Sequence, residues 1–287
     1  MSDARRAASR LRRDLRGTHD HEGRARLAPD RVLATLHAVT GEPETAVALL
    51  AEVWPAVPAD TDQAWIHRLC DVGTGLAAVL PTSLLLATAF RRAARSLRGR
   101  GLLRLAAVQG MRELAIHRLR DDDPDATAAA LHDLADTYRA QGRPHKVIDC
   151  ADETLETYLL HHHQAGIAHT LTHLGTLMIE AGRHDSAIGY LTRADKAFEH
   201  APDTAARAEC LARLGRALWL SDNHTTAHRA LNRALALAIG LDTTTADRVR
   251  HLVADTRQPH FGNPTAHDEA DTAPPGSPDD RRTTRRA

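Results

Sequence analysis

The sequence predicts an all-α protein, an α-solenoid of helical hairpins that ends in a capping helix. Hydrophobic residues make up 43% of the chain but aromatic residues only 3%, and the abundance of alanine and leucine favours helix over strand. A leucine pattern also returns every 40 residues, at Leu131, Leu171 and Leu211. Internal periods of about 20 to 50 residues are typical of solenoids, in which neighbouring repeats bury one continuous core.

The two ends of the chain differ in composition from its body. Residues 1–28 hold eight arginines and few large apolar residues, which predicts a flexible basic arm or a fraying helix. The last thirty residues contain five of the 13 prolines together with Asp, Thr and Gly, which predicts a disordered tail over 258–287. We therefore expect the helical repeat domain to span 29–257.

The elements before residue 125 are predicted from their helix-stopping residues, because proline and glycine interrupt helices. They are a hairpin over 29–57 that turns at Gly41 and Pro43, a hairpin over 62–97 that turns at Pro81, and a single helix over 101–118. The 40-residue spacing is lost between about 60 and 120. An odd helix or an altered hairpin is expected there.

Three clear hairpins follow, over 125–161, 165–200 and 204–240. Gly142 and Gly182 stand where a helix C-terminus favours a left-handed residue, and Asp222-Asn223 takes their place in the third hairpin. A last helix over 245–256 is apolar on one side and polar on the other. It is the polar-backed capping helix that the open end of a solenoid requires.

The repeated motif has a leucine pair, a small residue and a second-helix signature. It runs Leu171-x2-Leu174-Gly175-x2-Met178 and continues, after a glycine turn, with Ala187 and Leu191. This motif resembles the tetratricopeptide repeat. Small residues at the Gly175 and Ala187 positions let the two helices of a hairpin approach closely. The repeat here is 40 residues long rather than the usual length of about 34, and most aromatic positions of the family hold Leu, Ala or Met.

The resemblance implies a right-handed superhelix whose first helices line a concave groove for a peptide or protein segment. Tetratricopeptide arrays also form the sensor part of many bacterial regulators, often behind a helix-turn-helix domain. Residues 1–28 are too short and too polar to form such a domain.

The candidate groove residues follow from helical geometry, as the polar side opposite the leucine stripe on three first helices. They are His132, Asp133, Asp136, Arg139, His169, Thr172, His173, Thr176, Glu209, Arg213, Arg216 and Trp219. The period aligns Asp133 with His173 and Arg213, which predicts an acidic end and a basic end suited to a carboxylate. The alternative is a solvated face with internal ion pairs, for example between Glu209 and Arg213.

No catalytic, metal or cofactor site is predicted. His169 and His173 have a chelating i,i+4 spacing, but the sequence shows no third ligand. The three cysteines are isolated, which is typical of reduced core residues in a cytoplasmic protein. The 37 basic and 37 acidic residues cancel, which argues against an obligate nucleic-acid surface, and no apolar run approaches the ~20 residues of a membrane span.

These patterns favour a cytoplasmic, non-enzymatic adaptor or regulator that binds a peptide or protein segment in the concave groove. The alternative is a ligand- or peptide-responsive sensor that acts on transcription. In that case the arginine-rich arm over 1–28 would contact nucleic acid.

Overall fold

The computed structural model describes residues 3–16, 29–58, 60–201 and 203–257. Within these ranges the chain forms 13 α-helices and a short 3-10 turn at Trp54–Ala56, with no β-strand. The all-α prediction is confirmed. No helix in the described part of the chain combines the length and the apolar character that crossing a membrane demands. The predicted tail over 258–287, and residues 17–28 of the predicted arm, lie outside the described residues.

The helices are α1 (Asp3–Arg16), α2 (Pro29–Ala38), α3 (Pro43–Val53), α4 (Gln63–Val79), α5 (Leu84–Gly99), α6 (Leu103–Arg120), α7 (Pro124–Ala140), α8 (Pro144–Leu160), α9 (Gln164–Glu180), α10 (His184–Ala197), α11 (Thr204–Leu220), α12 (His224–Ala238) and α13 (Thr243–Arg257).

The pairs α7–α8, α9–α10 and α11–α12 are the three expected hairpins, and each second helix also packs against the next first helix. Close approach within a hairpin depends on the glycine of the motif. A Cβ atom added to Gly175 would lie 2.4 Å from Cγ of Leu191, and one added to Gly215 would lie 2.4 Å from Cδ2 of Leu231. Both leucines are fully buried, so the prediction that these glycines bring the helices together is confirmed.

Left-handed residues follow helices about every twenty residues from Gly101 to Gly182, and once more forty residues later at Asp222. These residues are Gly101, Asp121, Gly142, His162, Gly182 and Asp222. At Gly142 the next amide, that of Arg143, donates to the carbonyl of Tyr138 at 3.0 Å. This bond reaches five residues back and closes the helix end in a Schellman motif.

The prediction of a hairpin over 62–97 is wrong, because α5 pairs with α6 and makes only limited contact with α4. A fourth repeat therefore precedes the three clear ones. Its motif is Phe90-x2-Ala93-Ala94-x2-Leu97, and all four residues are buried. They precede Leu131, Leu134, Ala135 and Tyr138 by 41 residues rather than 40. Because the spacing is one residue longer and alanines occupy two of the four motif positions, the sequence pattern did not identify this repeat.

The structure of the N-terminal segment differs from the predicted flexible arm, because residues 3–16 form the helix α1. Ala8, Leu11 and Leu15 share one face of this helix and are buried against the N-terminal part of the array, where α1 packs on α2 and α3. Arg12 adds two hydrogen bonds of 2.9 Å to the carboxylate of Glu52. The spacing of these three apolar residues was the signal for a docked helix.

At the other end, α13 packs against α11 and α12. It buries Ala246, Val249 and Val253, whereas Arg248 and Arg250 on its other side stay exposed. This arrangement agrees with the amphipathic pattern expected of the last helix.

Candidate functional site

The twelve predicted groove residues lie on α7, α9 and α11, and we call the surface that they form the first-helix face. None of the twelve is fully buried. His132, Arg139 and His169 are exposed, and the other nine are partly exposed. Since the leucine stripes of the same helices are buried, the polar side faces away from the core.

His173, at the centre of the first-helix face, brings residues of three helices together. Its ring centroid lies 6.3 Å from that of His132. Burial is the main cause that lowers the pKa of His173, and the nearby His132, Arg139 and Arg213 lower it further, against the opposing effect of Asp136. A lowered pKa favours a neutral imidazole near pH 7.

Asp133, at the predicted acidic end, is held by arginines of α5. Arg95 donates to both of its carboxylate oxygens, at 3.3 and 2.7 Å, and Nε of Arg91 lies 3.8 Å away. Arg98 donates to the Asp133 backbone carbonyl at 2.8 Å. The carboxylate therefore ties two repeats together and adds little free negative charge to the first-helix face.

Ion pairs also occupy the predicted basic end. Arg213 donates to Glu209 at 3.1 Å, and the other oxygen of Glu209 accepts from Arg248 of α13 at 2.8 Å. On α7, Arg139 donates to Asp136 at 2.7 Å. The internal pairing that the sequence left open is thus present at both ends, and much of the expected charge polarity is compensated.

Arg216 differs from its charged neighbours, since no ion pair to it occurs among the described residues. It lines a cavity of about 370 Å³ together with Thr176, Ile179, Glu180, Arg213 and Leu252, and Glu180, which the structure also describes, makes no ion pair with it. The hydroxyl of Thr176 is already used, because it donates to the carbonyl of Thr172 at 2.9 Å. The guanidinium of Arg216 is therefore the cation on this face that is best placed to meet an anionic group.

Trp219 and His169 contact other parts of the fold, and Thr172 bonds to the backbone of its own helix. Trp219 packs on the rings of His224 and His228 of α12, at 4.5 and 5.4 Å between centroids. It belongs to its own hairpin and not to the centre of the first-helix face. His169 lies edge-on to Phe198 at 5.5 Å and 3.5 Å from Asp203, and the Thr172 hydroxyl donates to the carbonyl of Ala168 at 2.9 Å.

A larger cavity, of about 660 Å³, opens between α7, α8 and α9. It shares His132, Asp133, His169 and His173 with the first-helix face. Its remaining walls include Val147, Cys150, Ala151 and Tyr158 of α8, which the sequence analysis did not include among the site residues. The small residues Ala128, Ala129, Ala165 and Gly166 on the facing helices were the available signal.

The described residues offer no metal centre, because they contain no group of three or more His, Cys, Asp or Glu side chains arranged to hold an ion. His161 instead lies 3.2 Å from the Asp121 carboxylate. Cys70, Cys150 and Cys210 are free and buried, and desolvation raises the pKa of each thiol to about 11. A thiol in this state is a poor nucleophile.

Comparison with known families agrees with this geometry. Residues 126–199 and 166–239 match a family model described as tetratricopeptide repeat. The two matches overlap and together cover α7 to α12. No curated protein matches the sequence.

Among solved structures, the chain is similar to BtubC (BKLC) from P. vanneervenii, with 16% identity over 96% of this chain and 100% of that one, and a TM-score of 0.46. The apo form of RapI gives 13% identity over 66% and 77% of the two chains, with a TM-score of 0.49. A signal transduction ATPase with a tetratricopeptide repeat sensor, from Pyrococcus horikoshii, gives 16% identity over 86% of this chain and 40% of that one, with a TM-score of 0.49. Likeness at this level concerns the fold alone.

Proposed function

From tetratricopeptide repeats over residues 126–239, we propose that this protein is a non-enzymatic adaptor or regulator that binds a peptide or protein segment on the first-helix face. This face is the concave side of the superhelix that such repeats build. The observation that carries the proposal is the open, polar side of α7, α9 and α11, where no described helix covers residues such as His132 and Arg139.

The alternative, a sensor that contacts nucleic acid through its N-terminal segment, gains less support. The exposed arginines expected for phosphate contact are partly used within the fold. Arg12 pairs with Glu52, and Arg5 pairs with Glu42. We therefore retain protein binding as the proposed function that the geometry supports best, and we keep the cytoplasm as the expected compartment.

Position-specific cross-linking tests this role. A photoreactive p-benzoylphenylalanine replaces His132, which is exposed on the first-helix face, or Arg229, which is exposed on α12. The full chain is illuminated in extract of the source cells, and the adducts are identified by mass spectrometry. We expect a discrete protein adduct from position 132 that position 229 does not give.

The substitution Arg216→Glu should reduce that adduct at least fivefold, because it reverses the charge on the face, while Arg229→Glu leaves it unchanged. Equal adducts from positions 132 and 229 would show that the face has no privileged partner. Thermal unfolding of each variant establishes that any loss reflects recognition and not misfolding.

A further inference from the structure

The cavity between α7, α8 and α9, which we call the α7–α9 cavity, marks a place where the array is open. First helices of successive repeats contact each other at α5–α7, α9–α11 and α11–α13, but α7 and α9 hardly touch. At the end of α10, the buried ring of Phe198 makes an edge contact with His169 of α9. Forty residues earlier, Tyr158 takes the equivalent position on α8 but is only partly buried. The gap between α7 and α9 is bordered by Ala128, Ala129 and Ala165, and side chains leave part of it unfilled.

One end of the α7–α9 cavity is built rigidly. The ring of Tyr158 lies so close to Gly166 that a Cβ there would fall 2.5 Å from the ring. The same ring stacks on His163 at 5.0 Å, and its hydroxyl donates to Asp125 of α7 at 2.9 Å. These contacts hold the wall in place across two repeats, as a preformed site requires.

The charged side chains Arg95, Asp133 and Asp125 at the α7–α9 cavity already have partners within the fold. Arg95 and Asp133 pair with each other at 2.7 Å, and Asp125 accepts from Tyr158. Burial favours the neutral form of His173. The interior between these groups is apolar, with Val147, Ala151 and Leu131 in the lining. An occupant that is uncharged and apolar fits such a surface, whereas a charged occupant would lose its hydration without gaining a partner.

On these grounds we propose that the α7–α9 cavity receives uncharged apolar side chains of the bound segment, while Arg216 of α11 receives a carboxylate of the same segment. This inference rests on the proposed function and specifies the partner's chemistry. The volume of about 660 Å³ lies within the range of about 300–1,000 Å³ of typical ligand sites. It leaves room for more than one side chain.

The helix spacing sets the distance between the two contacts. Packed helices lie roughly 8–10 Å apart, so Arg216 stands about 13 Å across the helices from the middle of the α7–α9 cavity. Arg216 also aligns with Thr176, which is seven residues, or roughly 10 Å, further along α9 than His169 in the cavity wall. Because an extended chain covers about 3.3 Å per residue, the apolar side chains and the acidic residue of the partner should be roughly five residues apart.

Defined peptides test this bipartite arrangement directly. The probes are fluorescein-labelled decapeptides of Gly, Ser and Asn that carry either Leu-Leu or Ser-Ser and, five residues away, either Asp or Lys, made in both chain directions. Binding to the full chain is followed by fluorescence anisotropy. We expect the Leu-Leu/Asp peptide of one direction to bind at least tenfold more tightly than the peptides with Ser-Ser or Lys in place of either element.

Filling the cavity separates the two contacts. Ala129 and Ala165 line it and are exposed, so Ala129→Leu/Ala165→Leu should occupy the space without repacking the core. This variant should lose most of the preference for Leu-Leu and keep the preference for Asp, and Arg216→Glu should do the reverse. Ala115→Leu, at an exposed position of α6 outside the cavity, is the matched control and should change neither.

The outcomes distinguish this inference from the proposed function. An unchanged Leu-Leu preference in the filled, folded variant would overturn the cavity assignment. Absence of any preference among the peptides, with position-dependent cross-linking at residue 132 intact, would also overturn it and leave the proposed function standing. Equal cross-linking from positions 132 and 229 would overturn both this inference and the proposed function.

Discussion

The glycine of the repeat motif makes a quantitative prediction at position 175. In Gly175→Ala the new Cβ would lie 2.4 Å from Cγ and 2.7 Å from Cδ2 of Leu191, whereas carbon atoms pack at about 3.5–4.0 Å. Leu191 is fully buried, and the clash involves its branch point and not only a flexible tip. Either Leu191 leaves its rotamer or α9 and α10 move apart by about 1 Å.

The magnitude follows from two opposing effects. Overpacking of a core costs about 1–3 kcal/mol, and a clash this short should fall at the upper end. Replacement of glycine by alanine inside a helix recovers about 1 kcal/mol of intrinsic propensity. We therefore expect Gly175→Ala to lower the free energy of unfolding by about 2 kcal/mol.

Gly189 of α10 is the matched control, because it is exposed and a Cβ there meets nothing within 4 Å. Gly189→Ala should stabilise the protein by about 0.5–1 kcal/mol, since only the propensity effect remains. Urea unfolding followed by circular dichroism at 222 nm measures both variants. If Gly175→Ala stabilised the protein as Gly189→Ala does, the close approach of α9 and α10 would not be the reason for glycine in the motif.

Three further predictions concern the thiols, His173 and α1. At pH 8 the cysteines of the folded protein should react with a thiol reagent roughly 100-fold more slowly than those of the protein unfolded in urea. The reason is that a thiol pKa of about 11, against an ordinary pKa of 9.0, lowers the fraction of reactive thiolate. Equal reaction rates would show that the cysteines are accessible in the folded protein. Because the folded pKa of His173 is lowered, unfolding takes up a proton near and below pH 6.5, so stability should fall as the pH drops from 7.5 to 5.5. His173→Asn should make that fall shallower, and an identical slope in urea midpoints would contradict this. Finally, Leu11→Ala should destabilise the N-terminal region by about 2–3 kcal/mol, because Leu11 is buried; Arg10→Ala, at an exposed position of the same helix, should have little effect, and equal effects would indicate that α1 is undocked.

The hairpins of the C-terminal half followed from the sequence because local signals agree there. The leucine stripe at Leu171 and Leu174, the small residue Gly175 and the turn at Gly182 all specify the same helices. The repeat at α5–α6 carries the same signals in altered form, since Phe90 and Ala93 replace the leucines and the spacing to the next repeat grows by one residue. A search for an exact period cannot see such a repeat, but packing tolerates it because only the buried face has to match.

The candidate site divides in the same way. Helical periodicity alone determined that His173 and Arg216 lie on the polar side of the first helices, since the side-chain direction follows from 3.6 residues per turn. Only the tertiary structure decided which charges remain available. Asp133 is neutralised from α5 and Glu209 from α13, by arginines 38 and 39 positions away in the chain. The α7–α9 cavity likewise exists because of the gap between two packed repeats, and such distances between helices are set by the whole array and not by any local sequence signal.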